Sequence, residues 1–196
     1  SINMANQDAP FGFRAVRMQG SGPSTNGQTQ YLVANGYATS IFQGDPVEMV
    51  AGGTVEVANG VADVVVGVFN GVQYVDVNTR KPIWSNYHAA NTSSYDGTIK
   101  AFVQDDPNQL FEVQVSGAMT LANVGETANL VYTAGSTHSG TSKAEVNSAT
   151  FTTSADTAVK IVGLSGDPEN SDLTANNANI VIKFNKHLYS ANTAGI

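Results

Sequence analysis

The chain has 196 residues, a formal net charge of −7 and only 13% charged residues, about half the usual share of a globular domain. That length suits one domain with appended segments. The absence of cysteine excludes disulfides and thiolate metal sites. No run of about 18 apolar residues offers a membrane-spanning helix, and the acidic balance argues against holding nucleic acid by attraction to its phosphates.

In chain order, residues 1–28 read as an N-terminal arm. Residues 1–3, ahead of Met4, read as an expression remnant or an upstream start, and the first residues lack the basic-then-apolar pattern of a secretory leader. The stretch "DAPFGFRAVR", Asp8 to Arg17, sets Arg14 and Arg17 beside Phe11 and Phe13. Proline and glycine keep this region without a sustained period, apart from a short strand expected over 13–18. Two exposed phenylalanines are costly, so both rings need a surface. Alternation of Phe11 and Phe13 on an edge strand of the chain's own domain is one destination. The other is a neighbouring subunit, with the arginines forking onto its carboxylates. On that second reading Phe11, Phe13, Arg14 and Arg17 are partner-binding residues.

Residues 29–196 read as a single β domain. "YLVANGYATSIF" places two β-prone runs about Asn35-Gly36, a hairpin signal. "GDPVEMV" and "GTVEVANG" each give a short strand after turn chemistry. In "DVVVGVFNGVQYVDV", Asn70-Gly71 is expected to fold as a type I′ hairpin, while Gly67 suggests a bulge or a close backbone approach. "RKPIWSNYH" carries the single tryptophan. Trp84 is either the plug of a loop folded over the barrel end or, with Tyr87, a surface contact.

"TIKAFVQDDPNQLFEVQV" predicts a second hairpin, with strands over 98–103 and 110–115 and a turn at 105–108. "LANVGETANLVY" is the best short helical candidate. A long polar loop near 133–157 holds one strand about 143–146. Two strong strands, "TAVKIVGLS" and "ANIVIKFNKHL", close the chain. Strand-length runs every 8–15 residues with turns between them predict an all-β fold, an antiparallel β-barrel or jelly-roll-like sandwich with an extended N-terminal arm.

Chemistry-bearing motifs are weak. Asp105 and Asp106 before Pro107 suit a turn better than a carboxylate pair. His88, His138 and His187 show no close pair of zinc-ligand spacing. Ser139 beside His138 has no nucleophile elbow. "SGPSTNGQ" lacks the phosphate-loop lysine, and "SGDPENSD" lacks the alternating acids of a calcium loop. The sequence therefore predicts no catalytic residue, no metal site, no cofactor and no enzymatic activity.

The succession "DAPFGFRAVR", "FQGDPVEMV", "VVVGVFNGVQY", "YDGTIKAFVQDDPNQLFEVQV" and "AVKIVGL…ANIVIKFNKH" resembles the capsid decoration (cement, or stabilisation) proteins of tailed bacteriophages over most of residues 8–187. The resemblance implies a structural viral protein on the outer capsid surface of the virion. It also implies the major capsid protein as partner, a β-barrel or jelly-roll body, and self-association as a homotrimer rather than a dimer. Such proteins bridge coat subunits, and their families supply no catalytic residues to carry over. The alternative is a carbohydrate- or receptor-binding β-module of the virion surface, with Trp84, Tyr87 and Tyr95 lining an open platform.

Overall fold

The computed structural model describes residues 5–61, 63–190 and 193–196; the expression remnant suggested at 1–3 lies outside them. The strands are β1 (Arg14–Met18), β2 (Thr29–Val33), β3 (Pro46–Met49), β4 (Val55–Val57), β5 (Val65–Val75), β6 (Pro82–Ser85), β7 (Ile99–Gln104), β8 (Gln109–Gln114), β9 (Thr127–Ala128), β10 (Leu130–Val131), β11 (Glu145–Val146), β12 (Val159–Leu164) and β13 (Asn179–Phe184). The fold is all-β, as the sequence predicts. One sheet runs in the order β1-β8-β13-β12-β9. The other runs β2-β7-β5-β3-β4, with β6 also paired to β5, and β10 and β11 form a small ribbon. The paired strands are antiparallel. The sheets pack together as a sandwich. The second sheet curls until its edges β2 and β4 draw near, but no ladder joins them, so the barrel does not close.

The centre of the molecule is β5. Its first five residues, Val65 to Phe69, are all buried, because a hydrophobic cluster lies on each side. Val65 and Val68 belong to the cluster under the five-stranded sheet; Val66, Phe69 and Val72 belong to the one inside the curled sheet. A strand covered on both faces reads as an unbroken apolar run rather than an alternation.

Asn70-Gly71 is therefore not a hairpin turn. The strand continues through it, and the register against β7 shifts between Phe69 and Gly71, as at a β-bulge. Both halves of the run are held, by β7 along one edge and by β3 then β6 along the other, which outweighs the local turn preference. Gly67 fulfils its expectation. The register against β3 shifts beside it, and a Cβ there would run into the Gln104 carbonyl.

The second predicted hairpin is also redirected. Its turn is real, with the Asn108 N–H donating to the Asp106 carboxylate at 2.8 Å. However, β7 pairs with β2 and β5 while β8 pairs with β1 and β13, so residues 105–108 carry the chain from one sheet to the other. Asn35-Gly36 likewise turns without a hairpin, since β2 pairs only with β7. The helical candidate yields one 3-10 turn at Leu121–Asn123, followed by β9 and β10. The long polar stretch contains β11 near its expected place, with Ser142, Ala144 and Val146 buried.

Phe13 is the main correction to the arm. It is 3% exposed in its own domain, edge-on to Phe111 (6.5 Å between centroids) and tilted against Phe184 (5.1 Å). The strand that follows it, β1, is the outer strand of the five-stranded sheet. Ahead of it the chain is extended but not free. The Gln114 amide, fully buried, donates to the Gln7 carbonyl and accepts from the Ala9 N–H. Asn170 makes the same two-way clasp on Gln7. Asn6 closes the strap by donating to the Asp172 and Asn176 carbonyls.

Three titratable groups are buried with the core: Asp45, His88 and His187. The Asp45 carboxylate accepts from the Phe42 N–H at 2.8 Å and from the Tyr132 hydroxyl at 3.3 Å. Burial nevertheless pushes its pKa up to about 6, with the Ser142 hydroxyl and those two donors pulling the other way. Burial lowers the pKa of both histidines.

Two expectations follow. Phe13→Ala lowers the unfolding free energy by about 3–5 kcal/mol, whereas Arg17→Ala, on the exposed side of β1, changes it by less than about 0.5 kcal/mol. Urea titration checks both. The second concerns pH. Folded Asp45 keeps a proton that the unfolded chain has already lost between about pH 4 and pH 6, so its contribution to stability falls as pH rises through that window. The histidines act oppositely, since the unfolded chain protonates them first and their contribution falls as pH drops. The stability difference between wild type and Asp45→Asn isolates the acid. It should shift against the wild type by on the order of 2–3 kcal/mol from pH 4 to pH 7, and a flat difference would contradict this origin.

Candidate functional site

The surface where the two sheets meet at β1 is built from the N-terminal stretch that the sequence singled out. Gly12 (φ +74°) and Gly44 (φ +95°) let two backbones approach closely there: a Cβ on Gly44 would sit 3.0 Å from the Phe11 carbonyl. The Phe13 N–H donates to the Gly44 carbonyl at 2.9 Å, and the Gly44 N–H donates to the Phe69 carbonyl at 2.9 Å. With Phe13 turned inward, Arg14 turns out. Its guanidinium lies 4.2 Å from the centroid of the half-buried Phe11 ring and 4.0 Å from the Glu112 carboxylate. Burial raises the pKa of Glu112, while Arg14 pulls it down. Arg17 is exposed, as is Val16 between the two arginines. Of the four residues expected to bind a partner, Phe13 is thus a core residue, Phe11 supports Arg14, and the two arginines face outward.

Beside Arg14 opens a cleft of about 600 Å³ between the sheets, whose polar lining includes Asn26, Gln28, Gln43, Asn70 and Gln104. The Gln43 amide donates to the Asn70 side-chain carbonyl at 2.9 Å. Through Gln28 and Asn70 it continues into a second recess of about 520 Å³ that reaches Trp84 and Phe102.

Trp84 is not a plug. It stands on β6, 69% exposed, with its ring stacked on Phe102 of β7 at 5.8 Å and 15°. Trp84 pairs with Gln73 and Phe102 with Gly71, so the two rings meet diagonally across β5. A Cβ on Gly71, the β5 residue opposite Phe102, would meet the Ser85 carbonyl at 3.2 Å. Tyr87 is instead half-buried and stacked on Phe42 at 5.6 Å and 7°, and Tyr95 lies under the Arg80 guanidinium at 4.8 Å. Trp84, Tyr87 and Tyr95 therefore do not form one platform. The partner of Trp84 is Phe102, which the sequence reading passed over. Its signal was present, since in "IKAFVQ" the alternation puts Phe102 on the same face as Lys100.

Several other sequence candidates serve the fold, while His138 is exposed. Asp105 accepts from the Tyr31 hydroxyl at 2.6 Å and Asp106 holds the turn. The ring of His88 packs beside Tyr37 (5.9 Å between centroids), and the Nδ1 of His187 accepts from the Tyr189 N–H. Among the described residues no group of three or more His, Asp or Glu side chains is arranged to hold a metal ion, and no helix is long and apolar enough to cross a membrane. Comparison with known proteins finds no matching family model, no matching curated protein and no matching solved structure.

Proposed function

We propose that this chain is a non-enzymatic structural protein of a bacteriophage virion, a capsid decoration protein that binds the outer capsid surface as a homotrimer and bridges coat subunits. The observation that supports the reading best is β1. This is a basic edge strand on an acidic domain, paired on one side only, with Arg14, Val16 and Arg17 facing outward. Arginines flanking an exposed apolar side chain suit a protein surface that offers carboxylates. An edge strand can also accept a further strand from a partner. The succession of sequence motifs from the arm to the closing strands supports the same reading.

The strap refines how such docking works. An arm that orders only on binding spends part of its interaction energy on that ordering. Here the clasps of Gln114 and Asn170 and the anchor of Phe13 hold the strand in place beforehand, so contact with the coat costs little extra entropy.

Charge reversal tests this directly. Arg14→Glu combined with Arg17→Glu should weaken co-sedimentation with undecorated capsids of the parent phage at least tenfold, with unchanged circular dichroism. Undiminished saturation of capsids by the folded variant would remove β1 from the interface. Light scattering coupled to size exclusion should give the mass of three chains, and a monomer at all concentrations would reject the trimer.

A further inference from the structure

The groove that runs from Arg14 past Asn70 to Trp84 has a chemistry that capsid attachment does not use. We infer that it binds a neutral oligosaccharide, with Trp84 as the stacking residue and the side-chain amides of Gln28, Gln43 and Asn70 as the hydroxyl-reading groups.

The aromatic end comes first. A tryptophan left 69% exposed forgoes burial of one of the largest apolar surfaces in the chain. Phe102 fixes the back of that ring by a nearly parallel stack, so the opposite face is presented in one orientation. The electron-rich face of an indole attracts groups that carry partial positive charge. The axial C–H bonds of a pyranose ring form such a surface, flat and of matching size.

The polar stretch supplies what sugar hydroxyls need. A hydroxyl both donates and accepts, and a carboxamide offers an acceptor oxygen beside two N–H donors. The Gln43-to-Asn70 hydrogen bond uses one N–H of Gln43 and the oxygen of Asn70. That bond leaves the Gln43 oxygen and the Asn70 NH₂ to other partners, an acceptor and a donor on two side chains that line the groove. Gln28 lines both recesses and connects them. Two joined recesses suit several linked rings rather than a single sugar.

Charge selects against other ligands. The charged side chain of the groove is Arg14, and its guanidinium is already stacked on Phe11 and faces Glu112. Phosphate or sulfate esters would meet a single shared cation on a domain of net charge −7. A neutral polyhydroxylated chain meets no such penalty.

Trp84 is the chain's only tryptophan, so selectively excited tryptophan fluorescence reports on this site alone. The full chain is titrated with neutral gluco-, manno-, galacto- and chito-oligosaccharides of four to six rings, up to about 10 mM, with heparin fragments as the anionic comparison. At least one neutral series should give a saturable fluorescence change. Calorimetry with the same saccharide should show at least tenfold weaker binding for Trp84→Ala and for Gln28→Ala/Asn70→Ala. Both variants should keep their affinity for undecorated capsids, whereas Arg17→Glu, at a residue that lines neither recess, should weaken capsid binding and keep saccharide binding, so the two readings fail separately. Silence across all neutral series overturns the inference. So does a response to heparin alone, unchanged saccharide affinity in Trp84→Ala, or loss of capsid binding by Trp84→Ala without any saccharide response, which would assign the groove to the coat contact.

Discussion

The Phe13 ring, wedged against Phe111 and Phe184, is the contact on which the rest of the surface depends. It brings the N-terminal stretch onto the five-stranded sheet, and the hydrogen bonds from Phe13 to Gly44 and from Gly44 to Phe69 tie that stretch to the centre of β5 in the other sheet. A residue that buries its ring while its amide bonds to the opposite sheet fixes the direction of its neighbours. Phe11 and Arg14 are then held over the cleft, and Arg17 is held in water. The same contact orders the wall of the groove, because Arg14, Gln43 and Asn70 all lie within a few residues of those three backbones.

A sandwich with a curled second sheet needs one strand that serves two cores, and β5 does so at the cost of being apolar on both faces. Its bulges are how it does this without breaking. At Gly67 the backbone of β7 comes too close for any side chain. At Asn70 the extra residue brings its carboxamide to the Gln43 side chain at the cleft. Two features that look like turn chemistry are thus devices for shaping a surface. Asp45 sits next to this junction, with its amide bonded to the Phe42 carbonyl and its own carbonyl bonded to the Phe69 N–H. An acid kept there is costly when ionised, and its hydrogen bonds to Phe42 and Tyr132 offset only part of that cost.

What the sequence made legible was whatever is local. Strand runs with alternation or β-branching gave β1, β3, β4, β7, β8, β12 and β13 close to their observed places, and Asp-Pro and Asn-Gly pairs located direction changes or bulges. Strand pairing was not legible, because the turn at 105–108 looks the same whether the chain doubles back or crosses between sheets. The two-residue strands β9 and β10 carry too little pattern to read. The arm shows the limit most clearly. The sequence singles out Phe11, Phe13, Arg14 and Arg17, but where the stretch lies is set by Phe111 and Phe184 against Phe13 and by Gln114 and Asn170 on Gln7, all distant along the chain. Those two amides carry no signal of what they will clasp. At the groove, Trp84 is visible as a lone tryptophan, while Gln28 and Asn70 resemble ordinary loop amides until the fold brings both to one groove.

The distribution of charge then explains why one small domain can present two different surfaces. Arg14 and Arg17 stand on β1 beside the amides of the strap and the cleft, with Glu112 across from Arg14 and Asp8 in the strap itself. Because Arg14 sits at the boundary, its partners decide its allegiance. Phe11 beneath it and Glu112 beside it engage the guanidinium where it lines the cleft, so its charge there is already shared. A lysine in that place would not keep this arrangement, since a flexible ammonium neither stacks on a ring nor holds a planar orientation. On the reading proposed above, that single side chain stands where the carboxylate-seeking edge and the hydroxyl-reading groove meet.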